Sequence, residues 1–319
     1  MRLVVTGALG HIGSRLIHGL RPGAFEEVVL LDNLSTQRFC SLFNLPAGVP
    51  FRFVEGDVCT YDLARLFAGA DVVVHLAAVT NAEGSFEIQE RVEQVNFTGT
   101  QRVAEACVGA GARLVFLSTT SVYGPQSEVV DEECGQEALK PQSPYAESKM
   151  RADELLRRMA AEQALRVFIG RFGTICGTSI GMRFHTAVNR FCWQACMGEP
   201  LSVWRTALHQ RRPYLELGDA VRAIEFVSAN DLFDGRVYNV VTENSTVGAI
   251  VDEIRRHAAD VRVQFVDSAV MNQLSYTVRA ERIRAEGFEF TGSLAEGIAE
   301  TMTLLRAIRA GDWTGGLLS

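Results

Sequence analysis

The first 171 residues alternate between short apolar runs and longer segments in which apolar residues recur every three or four positions. Short runs rich in Val, Ile, Leu and Phe are typical of buried strands, and the longer amphipathic segments are typical of helices. This alternation predicts an α/β fold with a doubly wound parallel sheet of the Rossmann type. The predicted strands are 3–5, 28–31, 51–54, 72–76, 114–117 and 167–169, and the predicted helices are 12–20, 86–108 and 144–163.

The pattern changes after Arg171, where glycine and threonine become frequent and the elements shorten. No low-complexity linker separates the two halves, so we predict two tightly joined lobes. Residues 1–171 form the Rossmann domain, to which a segment at about 214–242 returns, and residues 172–213 and 243–319 form most of a smaller C-terminal lobe. In this second half, 237–241 and 261–266 are predicted strands, and 185–197, 247–258 and 293–310 are predicted helices.

Composition narrows the class of protein. The chain has 319 residues, of which 47% are hydrophobic, enough for one large core and a smaller one. Its formal net charge of -7 argues against a nucleic acid or an acidic membrane surface as partner, because both require a basic face. No apolar run approaches the ~20 residues of a membrane span, and no signal-peptide pattern is found. We expect a cytoplasmic protein.

The seven cysteines are odd in number and scattered, without a Cys-x-x-Cys pair. This distribution predicts buried thiols in a reducing compartment rather than a disulfide framework. Cys192 and Cys196 could share one face of a helix, but two thiols alone do not make a zinc site. We expect no metal.

A glycine-rich turn, Gly7-x-x-Gly10-x-x-Gly13, stands between the first predicted strand and the first predicted helix. Glycines allow a sharp turn and a close approach to a pyrophosphate, and the helix N-terminus offers unpaired N–H groups. Asp32 ends the next strand, where a carboxylate accepts hydrogen bonds from the adenosine ribose and repels a 2′-phosphate. The pattern predicts NAD rather than NADP, although the nearby Arg38 could accept such a phosphate.

Tyr145 and Lys149 stand one helical turn apart at the start of the predicted helix 144–163. On one helix face the ammonium is near enough to lower the pKa of the phenol from about 10. A phenol acidified in this way can remove the proton of a hydroxyl group. The hydroxyl-rich segment Ser118-Thr119-Thr120-Ser121 follows the fifth predicted strand.

These features occur with further motifs in a fixed order along nearly the whole chain. The motifs are Leu31-Asp32-Asn33, Gly56-Asp57, His75-Leu76-Ala77-Ala78, Asn96-Phe97-Thr98-Gly99-Thr100 and Ser118-Thr119-Thr120-Ser121-Val122-Tyr123-Gly124. The chain thus resembles the extended short-chain dehydrogenase/reductase superfamily, and within it the NAD-dependent sugar-nucleotide epimerases and dehydratases. The resemblance implies an NAD-binding first domain, a substrate-binding second lobe, a nucleotide-diphosphate sugar as substrate and a homodimer.

The resemblance also assigns contacts. Asp57 either reaches the adenine amino group or caps the following helix. In the implied dimer, the helix after Asn96 and the helix from Tyr145 form a four-helix interface, to which Val103, Cys107, Leu155 and Met159 contribute unless they are internal core. The implied NAD-binding residues are Gly7, Gly10, His11, Ile12, Gly13, Asp32, Asn33, Asp57, Val58, Leu76, Ala77, Ala78, Asn96, Tyr145 and Lys149.

By the same resemblance, Thr119, Tyr145 and Lys149 are the catalytic residues. Thr119 and Tyr145 would bond the sugar oxygen that becomes a ketone, and Tyr145 would take its proton. Lys149 would hold the nicotinamide ribose and keep Tyr145 acidic. The 4,6-dehydratases of this superfamily carry an Asp-Glu pair directly after the catalytic threonine, whereas this chain carries Thr120 and Ser121. We therefore expect a 4-epimerase that oxidises C4 transiently and returns hydride to the opposite face.

Other outcomes of C4 oxidation stay open at this point. The second half of the chain, from Phe172 to Glu243, is also similar to the UDP-sulfoquinovose synthases. A 4-ketoreductase, a decarboxylase or a sulfoquinovose-synthase-like enzyme would use the same first step. A non-catalytic NAD-binding scaffold is disfavoured, because a scaffold has no need of Thr119, Tyr145 and Lys149 together.

The substrate lobe departs from the family pattern in several places. Arg212 aligns with the arginine that grips the substrate phosphates, and Arg183 is a weaker candidate for the same task. Thr174 replaces an asparagine that usually meets the diphosphate, and a second phosphate arginine has no clear match near Met271-Asn272-Gln273. Thr80 stands where galactose epimerases often carry lysine. The expected substrate contacts are Thr80, Thr120, Ser121, Thr174, Arg183 and Arg212.

Overall fold

The computed structural model of the protein describes residues 1–82, 84–126, 129–258, 260–267 and 275–308. The segment Met271-Asn272-Gln273 and the last residues of the predicted helix 293–310 lie outside the described residues. The strands are β1 (Arg2–Thr6), β2 (Glu27–Asp32), β3 (Phe51–Glu55), β4 (Val72–His75), β5 (Arg113–Thr119), β6 (Val129–Val130), β7 (Val167–Phe172), β8 (Thr174–Cys176), β9 (Leu201–Trp204), β10 (Arg211–Glu216), β11 (Asp234–Val240), β12 (Glu243–Thr246), β13 (Val263–Val266) and β14 (Thr277–Val278).

The helices cover most of the segments between these strands. A π-helical segment, Glu93–Thr98, joins α3 to α4, so one long helical stretch runs through the region predicted as helix 86–108. The helices are α1 (His11–Gly19), α2 (Leu63–Phe67), α3 (Gln89–Val92), α4 (Gly99–Ala110), α5 (Pro144–Gln163), α6 (Ala187–Cys196), α7 (Leu217–Ala229), α8 (Val247–Arg255), α9 (Glu281–Ala285) and α10 (Leu294–Leu305).

The central sheet has seven strands in the order β3-β2-β1-β4-β5-β7-β11. Every neighbouring pair in it is parallel. The six strands predicted from the first half all form, and β11, from the predicted strand 237–241, adds an edge beside β7. The order of the strands reverses direction at β1, where a doubly wound sheet opens a crevice at its carboxyl edge. The predicted α/β fold is confirmed.

Both faces of the sheet are covered, as its continuous apolar strands require. On one face α1 and α7 pack against each other and over a core that includes Leu16, Ile17 and Ile224. On the other face α2, α4 and α5 cover a second core that includes Phe67 and Phe116.

The four side chains considered for a dimer interface belong to this second core. Val103, Cys107, Leu155 and Met159 are buried within their own chain against the sheet. Of the two alternatives, these side chains are internal core, because their helix faces point inward. The homodimer itself stays a prediction.

The smaller lobe is built on a third core, around Phe191, Leu201 and Ile250, beneath α6, α8 and α10. Its strands form a three-stranded sheet, β12-β10-β8, and a two-stranded sheet, β13-β9. The sequence pattern does not reveal β8, β9, β10 and β12, since each pairs only with residues distant in the chain.

Buried carboxylates join the smaller lobe to the end of the sheet. Glu216 caps α7 by accepting hydrogen bonds from the backbone N–H groups of Gly218 and Asp219. The fully buried Asp219 accepts from the hydroxyl of Thr242 at 2.6 Å and from the N–H of Thr291 at 3.0 Å. One carboxylate thus ties α7 to the chain on either side of α8.

Candidate active site

A cavity of about 380 Å³ opens at the carboxyl edge of the central sheet, between the two lobes. The ends of β1, β2, β4, β5 and β7 all reach it, which is where open α/β sheets bind their ligands. Of the residues selected from the sequence, those that line it are Gly7, Gly10, His11, Ile12, Gly13, Asp32, Asn33, Asp57, Val58, Leu76, Ala77, Ala78, Thr80, Thr119, Ser121, Tyr145, Lys149, Thr174, Arg183 and Arg212. Asn96 and Thr120 lie behind its wall.

The glycine-rich turn leaves no room for side chains. Gly7 has a φ of +67°, and a Cβ there would lie 2.5 Å from the backbone nitrogen of Ala77. A Cβ on Gly13 would lie 2.5 Å from the carbonyl oxygen of Ala8. The N-terminus of α1 has no side-chain cap at Gly10, so its N–H groups are available to a pyrophosphate.

Carboxylates at the ends of β2 and β3 line the cavity beyond the turn. Asp32 accepts hydrogen bonds from the N–H groups of Leu9 at 3.0 Å and Leu34 at 2.9 Å, so its orientation is fixed. The amide of Asn33 donates to Asp57 at 2.8 Å. This end suits the hydroxyls and the amino group of an adenosine.

Residues 177–183, the crossing segment, run from the smaller lobe over the glycine-rich turn. Ser179 Oγ lies 2.7 Å from His11 Nδ1, and the N–H of Gly181 donates to Ser14 Oγ at 3.0 Å. A Cβ on Gly181 would lie 2.6 Å from the carbonyl oxygen of Leu9. Only glycine permits this close approach of the two backbones. The crossing segment therefore covers one side of the glycine-rich turn.

Burial sets the charge of His11. Burial, with the nearby charge of Arg183, lowers the pKa of His11 to about 3, so the ring is neutral at physiological pH. Its Nε2 is buried and has no hydrogen-bond partner within the described chain. His11 lines the cavity, so a ligand bound there would supply a partner for this nitrogen.

The start of α5 places Tyr145. Ser143 caps the helix by accepting a hydrogen bond from the N–H of Ala146 at 3.2 Å, and Pro144 occupies the first turn. Burial raises the pKa of Tyr145, whereas a hydrogen bond with Thr119 and the charge of Arg183 act in the opposite direction. Thr119 and Tyr145 are thus brought together at the cavity wall.

Lys149 lines the cavity, with its ammonium bonded to the backbone of β5. Its ammonium donates to the carbonyl oxygen of Leu117 at 2.8 Å and lies 4.6 Å from the centre of the Phe116 ring. The charge of Arg183 also favours a lower pKa of Tyr145, in opposition to burial. Helical spacing does bring Tyr145 and Lys149 to one cavity, but it does not decide where a flexible ammonium finds its acceptor.

Asn96 lies behind the residues that line the cavity and bonds the loop after β4. Its side chain bonds both the N–H of Val79, at 2.8 Å, and the carbonyl oxygen of Val79, at 2.9 Å. The same amide donates to Ser148 Oγ at 3.2 Å. Asn96 lies in the π-helical segment, a geometry frequent at functional sites, and it fixes the loop that carries Thr80.

The wall formed by the smaller lobe carries Arg212 and Arg183. The Arg212 guanidinium lies 5.6 Å from the centre of the Trp204 ring, and its Nε is buried without a partner in the described chain. Arg183 donates to Thr80 Oγ1. Each arginine reaches the cavity from a different element of the smaller lobe.

Tyr276 is a cavity residue that sequence reasoning missed. Its side chain is buried and forms hydrogen bonds with the hydroxyls of Thr120 and Ser121. The hydroxyl of Thr120 also donates to the carbonyl oxygen of Phe172, and Thr120 does not line the cavity. A lone tyrosine in a segment without periodicity gives no sequence signal.

The described residues contain neither a membrane-spanning helix nor a cluster of metal ligands. No helix among them is both long and apolar enough to cross a bilayer. Within the same part of the chain, no three or more His, Cys, Asp or Glu side chains are grouped as metal ligands would be.

The site and fold agree with a known family. The model of the NAD dependent epimerase/dehydratase family matches residues 3–240. The chain belongs to this family. The family's cofactor is NAD, which confirms the prediction from the glycine-rich turn and Asp32.

Individual members of the epimerase/dehydratase family differ in their reactions. A dTDP-glucose 4,6-dehydratase of Streptomyces griseus is 31% identical over 313 residues, covering 94% of this chain and 92% of that protein. MoeE5 in complex with UDP-glucose and NAD is 28% identical, with a TM-score of 0.83 over 96% of this chain and 99% of that chain, and MoeE5 was also solved with UDP-glucuronic acid and NAD. UDP-glucose 4-epimerase of Thermus thermophilus, in complex with NAD, is 26% identical, with a TM-score of 0.80 over 96% of this chain and 99% of that chain. Epimerases and dehydratases are thus both similar to this enzyme.

Proposed function

We propose that the chain is an NAD-dependent nucleotide-sugar 4-epimerase, which oxidises C4 of a nucleotide-diphosphate hexose transiently and returns hydride to the opposite face. The proposal depends on the residues after Thr119, which are Thr120 and Ser121. Elimination of water from C5 and C6 requires an acid and a base near the sugar, and neither hydroxyl ionises near neutral pH. Re-reduction at C4 requires neither. A UDP-sugar is the substrate that we propose, since MoeE5 binds UDP-glucose and UDP-glucuronic acid, although the Streptomyces griseus dehydratase is named for dTDP-glucose.

The chain's own residues suit the proton transfer. Thr119 and Tyr145 share a hydrogen bond at the cavity wall, so both can meet the C4 oxygen, with Tyr145 as the base. The charge of Arg183 favours the phenolate form, in opposition to burial. When the oxygen is reprotonated, Tyr145 returns the same proton.

The cofactor fits the turn and must stay for the whole cycle. When bound, NAD supplies the hydride acceptor for oxidation at C4 and the hydride donor for the return. Its pyrophosphate would lie on the N–H groups at Gly10–Gly13 and its adenosine near Asp32. The crossing segment over the turn favours retention, which an epimerase needs because its product has the redox state of its substrate.

The reaction is tested in deuterated water with UDP-glucose and no added cofactor. We expect the C4 epimer, without deuterium on carbon, because the hydride returns from the cofactor rather than from solvent. Nuclear magnetic resonance and mass spectrometry measure both. A product lighter by one water, with deuterium taken up on carbon, would identify a 4,6-dehydratase and overturn the proposal.

Tyr145→Phe tests the base. We expect turnover to fall by about 10²-fold or more, in the range for loss of a positioned acid/base group, while NAD stays bound. The matched control is Tyr238→Phe, whose hydroxyl donates to Asp234 at 2.7 Å and does not line the cavity. Equal turnover in Tyr145→Phe and in the wild type removes Tyr145 from the mechanism.

A further inference from the structure

Arg183 is a cation at the reactive end of the cavity. Its guanidinium donates to Thr80 Oγ1, and its charge acts on the hydroxyl of Tyr145. Its Nε is buried and has no hydrogen-bond partner in the described chain. A buried donor without a partner costs stability unless a ligand satisfies it.

No protein carboxylate neutralises this charge. Among the described residues, none of the ion pairs within 4.0 Å includes Arg183. Burial and the neighbouring charge of Arg38 lower the pKa of Arg183 to about 10, so its surroundings disfavour the cation. The carboxylates that line the cavity, Asp32 and Asp57, stand at the ends of β2 and β3. The positive charge of Arg183 is therefore available to pair with an anionic group of a bound ligand.

The anionic groups of NAD and of a nucleotide diphosphate have other partners in the cavity. The glycine-rich turn offers N–H groups to the pyrophosphate of the cofactor. Arg212 lines the wall formed by the smaller lobe and has its own buried, partnerless Nε. The charge of Arg183 reaches His11 beside the turn, but Arg183 also bonds Thr80 and acts on Tyr145, the base that meets C4. Its position corresponds to the sugar rather than to either diphosphate.

We infer that Arg183 selects a sugar that carries a carboxylate at C6, so that the preferred substrate is a nucleotide-diphosphate hexuronic acid. A guanidinium binds a carboxylate through two parallel N–H donors, and Thr80 holds the fork in place. The inference rests on the proposed oxidation at C4 only for placing the sugar beside Tyr145. Recognition of the carboxylate requires no turnover.

Binding to the NAD-loaded wild-type protein is the first test. Isothermal titration calorimetry with UDP, UDP-glucose and UDP-glucuronic acid compares probes that differ only in the sugar and at C6. We expect UDP-glucuronic acid to bind at least about tenfold more tightly than UDP-glucose. The reason is that its carboxylate forms charged hydrogen bonds with Arg183 that UDP-glucose cannot form. Equal affinity of the two sugars would overturn the inference without any variant.

Arg183→Gln is the second test. We expect the ratio of the two dissociation constants to approach one, mainly through weaker binding of UDP-glucuronic acid. The matched control is Arg157→Gln, an exposed arginine of α5, which should keep the wild-type ratio. Thr80→Val, which removes the partner of Arg183, should reduce the ratio in part and serves if Arg183→Gln does not fold.

Two results would reassign Arg183. Equal weakening of UDP, UDP-glucose and UDP-glucuronic acid would place it on the substrate diphosphate, and loss of NAD from the purified variant would place it on the cofactor. Either overturns the inference. Release of carbon dioxide from UDP-glucuronic acid, with the binding ratio as expected, would instead overturn the 4-epimerase and support the carboxylate site.

Discussion

At the scale of single residues, the reactive centre combines groups that the sequence identifies with groups that it does not reveal, such as Tyr276. Helical spacing identifies Tyr145 and Lys149, the family resemblance adds Thr119, and all three line one cavity. The sequence does not reveal that Lys149 donates to Leu117, or that the charge of Arg183 acts on Tyr145. A long side chain has several acceptors within reach, and only the folded backbone decides among them.

Lys149 makes stability depend on pH. Burial lowers its pKa to about 8, against the opposing charge of Asp153, whereas in the unfolded chain a lysine titrates near about 10.4. Between these values the unfolded state binds more protons, so the free energy of unfolding rises with pH. Below about pH 8 both states are protonated, and the folded state bears the full cost of the buried charge.

Lys149→Met should therefore be more stable than the wild type below pH 8, by up to about 3 kcal/mol. The difference should shrink as pH rises toward 10, because the wild-type lysine then loses its proton in the folded state. Chemical denaturation of the NAD-free proteins at several pH values measures it. A difference that does not change with pH would mean that burial does not lower the pKa of Lys149 below its value in the unfolded chain.

At the scale of elements, a buried ion pair fixes α5 to β7. Arg171 Nε lies 3.0 Å from Asp153 Oδ2, and the two side chains are 7% and 2% exposed. The Arg171 guanidinium also lies 5.0 Å from the centre of the Tyr123 ring. Because α5 carries Tyr145 and Lys149, this pair helps to set the position of the reactive groups.

Asp153→Ala should lower the free energy of unfolding by about 3–5 kcal/mol, because it leaves a buried guanidinium unpaired. Replacing both partners with apolar residues, as in Asp153→Leu with Arg171→Met, should recover much of the loss. The control is Glu93→Ala, which breaks an exposed pair with Arg151 and should cost under about 1 kcal/mol. Similar losses in Asp153→Ala and Glu93→Ala would show that burial is not the cause.

Elements differ in how far sequence predicts them. The strands of the central sheet are buried on both faces, so each forms an apolar run that the sequence displays. The strand β10 reads Arg211-Arg212-Pro213-Tyr214-Leu215-Glu216 and contains proline, which argues against a strand. It forms because β8 and β12 pair with it on either side, and such distant pairing has no local signal.

At the scale of the whole molecule, the two lobes meet through polar groups that the sequence does not connect. Asp219 accepts a hydrogen bond from the N–H of Thr291, and Ser179 Oγ lies 2.7 Å from His11 Nδ1. Sequence analysis predicts two joined lobes from the absence of a linker. The particular contacts arise only when distant segments fold together.

Gly181→Ala tests how closely the crossing segment packs on the glycine-rich turn. The added Cβ would meet the carbonyl oxygens of Leu9, at 2.6 Å, and Gly10, at 2.9 Å, so the backbone must shift. We expect a loss of about 1–3 kcal/mol in stability and faster release of NAD, because the crossing segment moves off the turn. The control is Gly109→Ala in α4, where a Cβ meets nothing within 4 Å. Unchanged NAD release in Gly181→Ala would mean that the segment does not retain the cofactor.

The crossing segment also sets an order of events during protein synthesis. His11 and Ser179 are 168 residues apart in the chain. The glycine-rich turn is therefore synthesised long before the residues that cover it. At that stage the nascent Rossmann half would leave the turn open to the cofactor. We expect tight binding of NAD only after residue 183 has left the ribosome, when the C-terminal half of the chain can fold onto the N-terminal half.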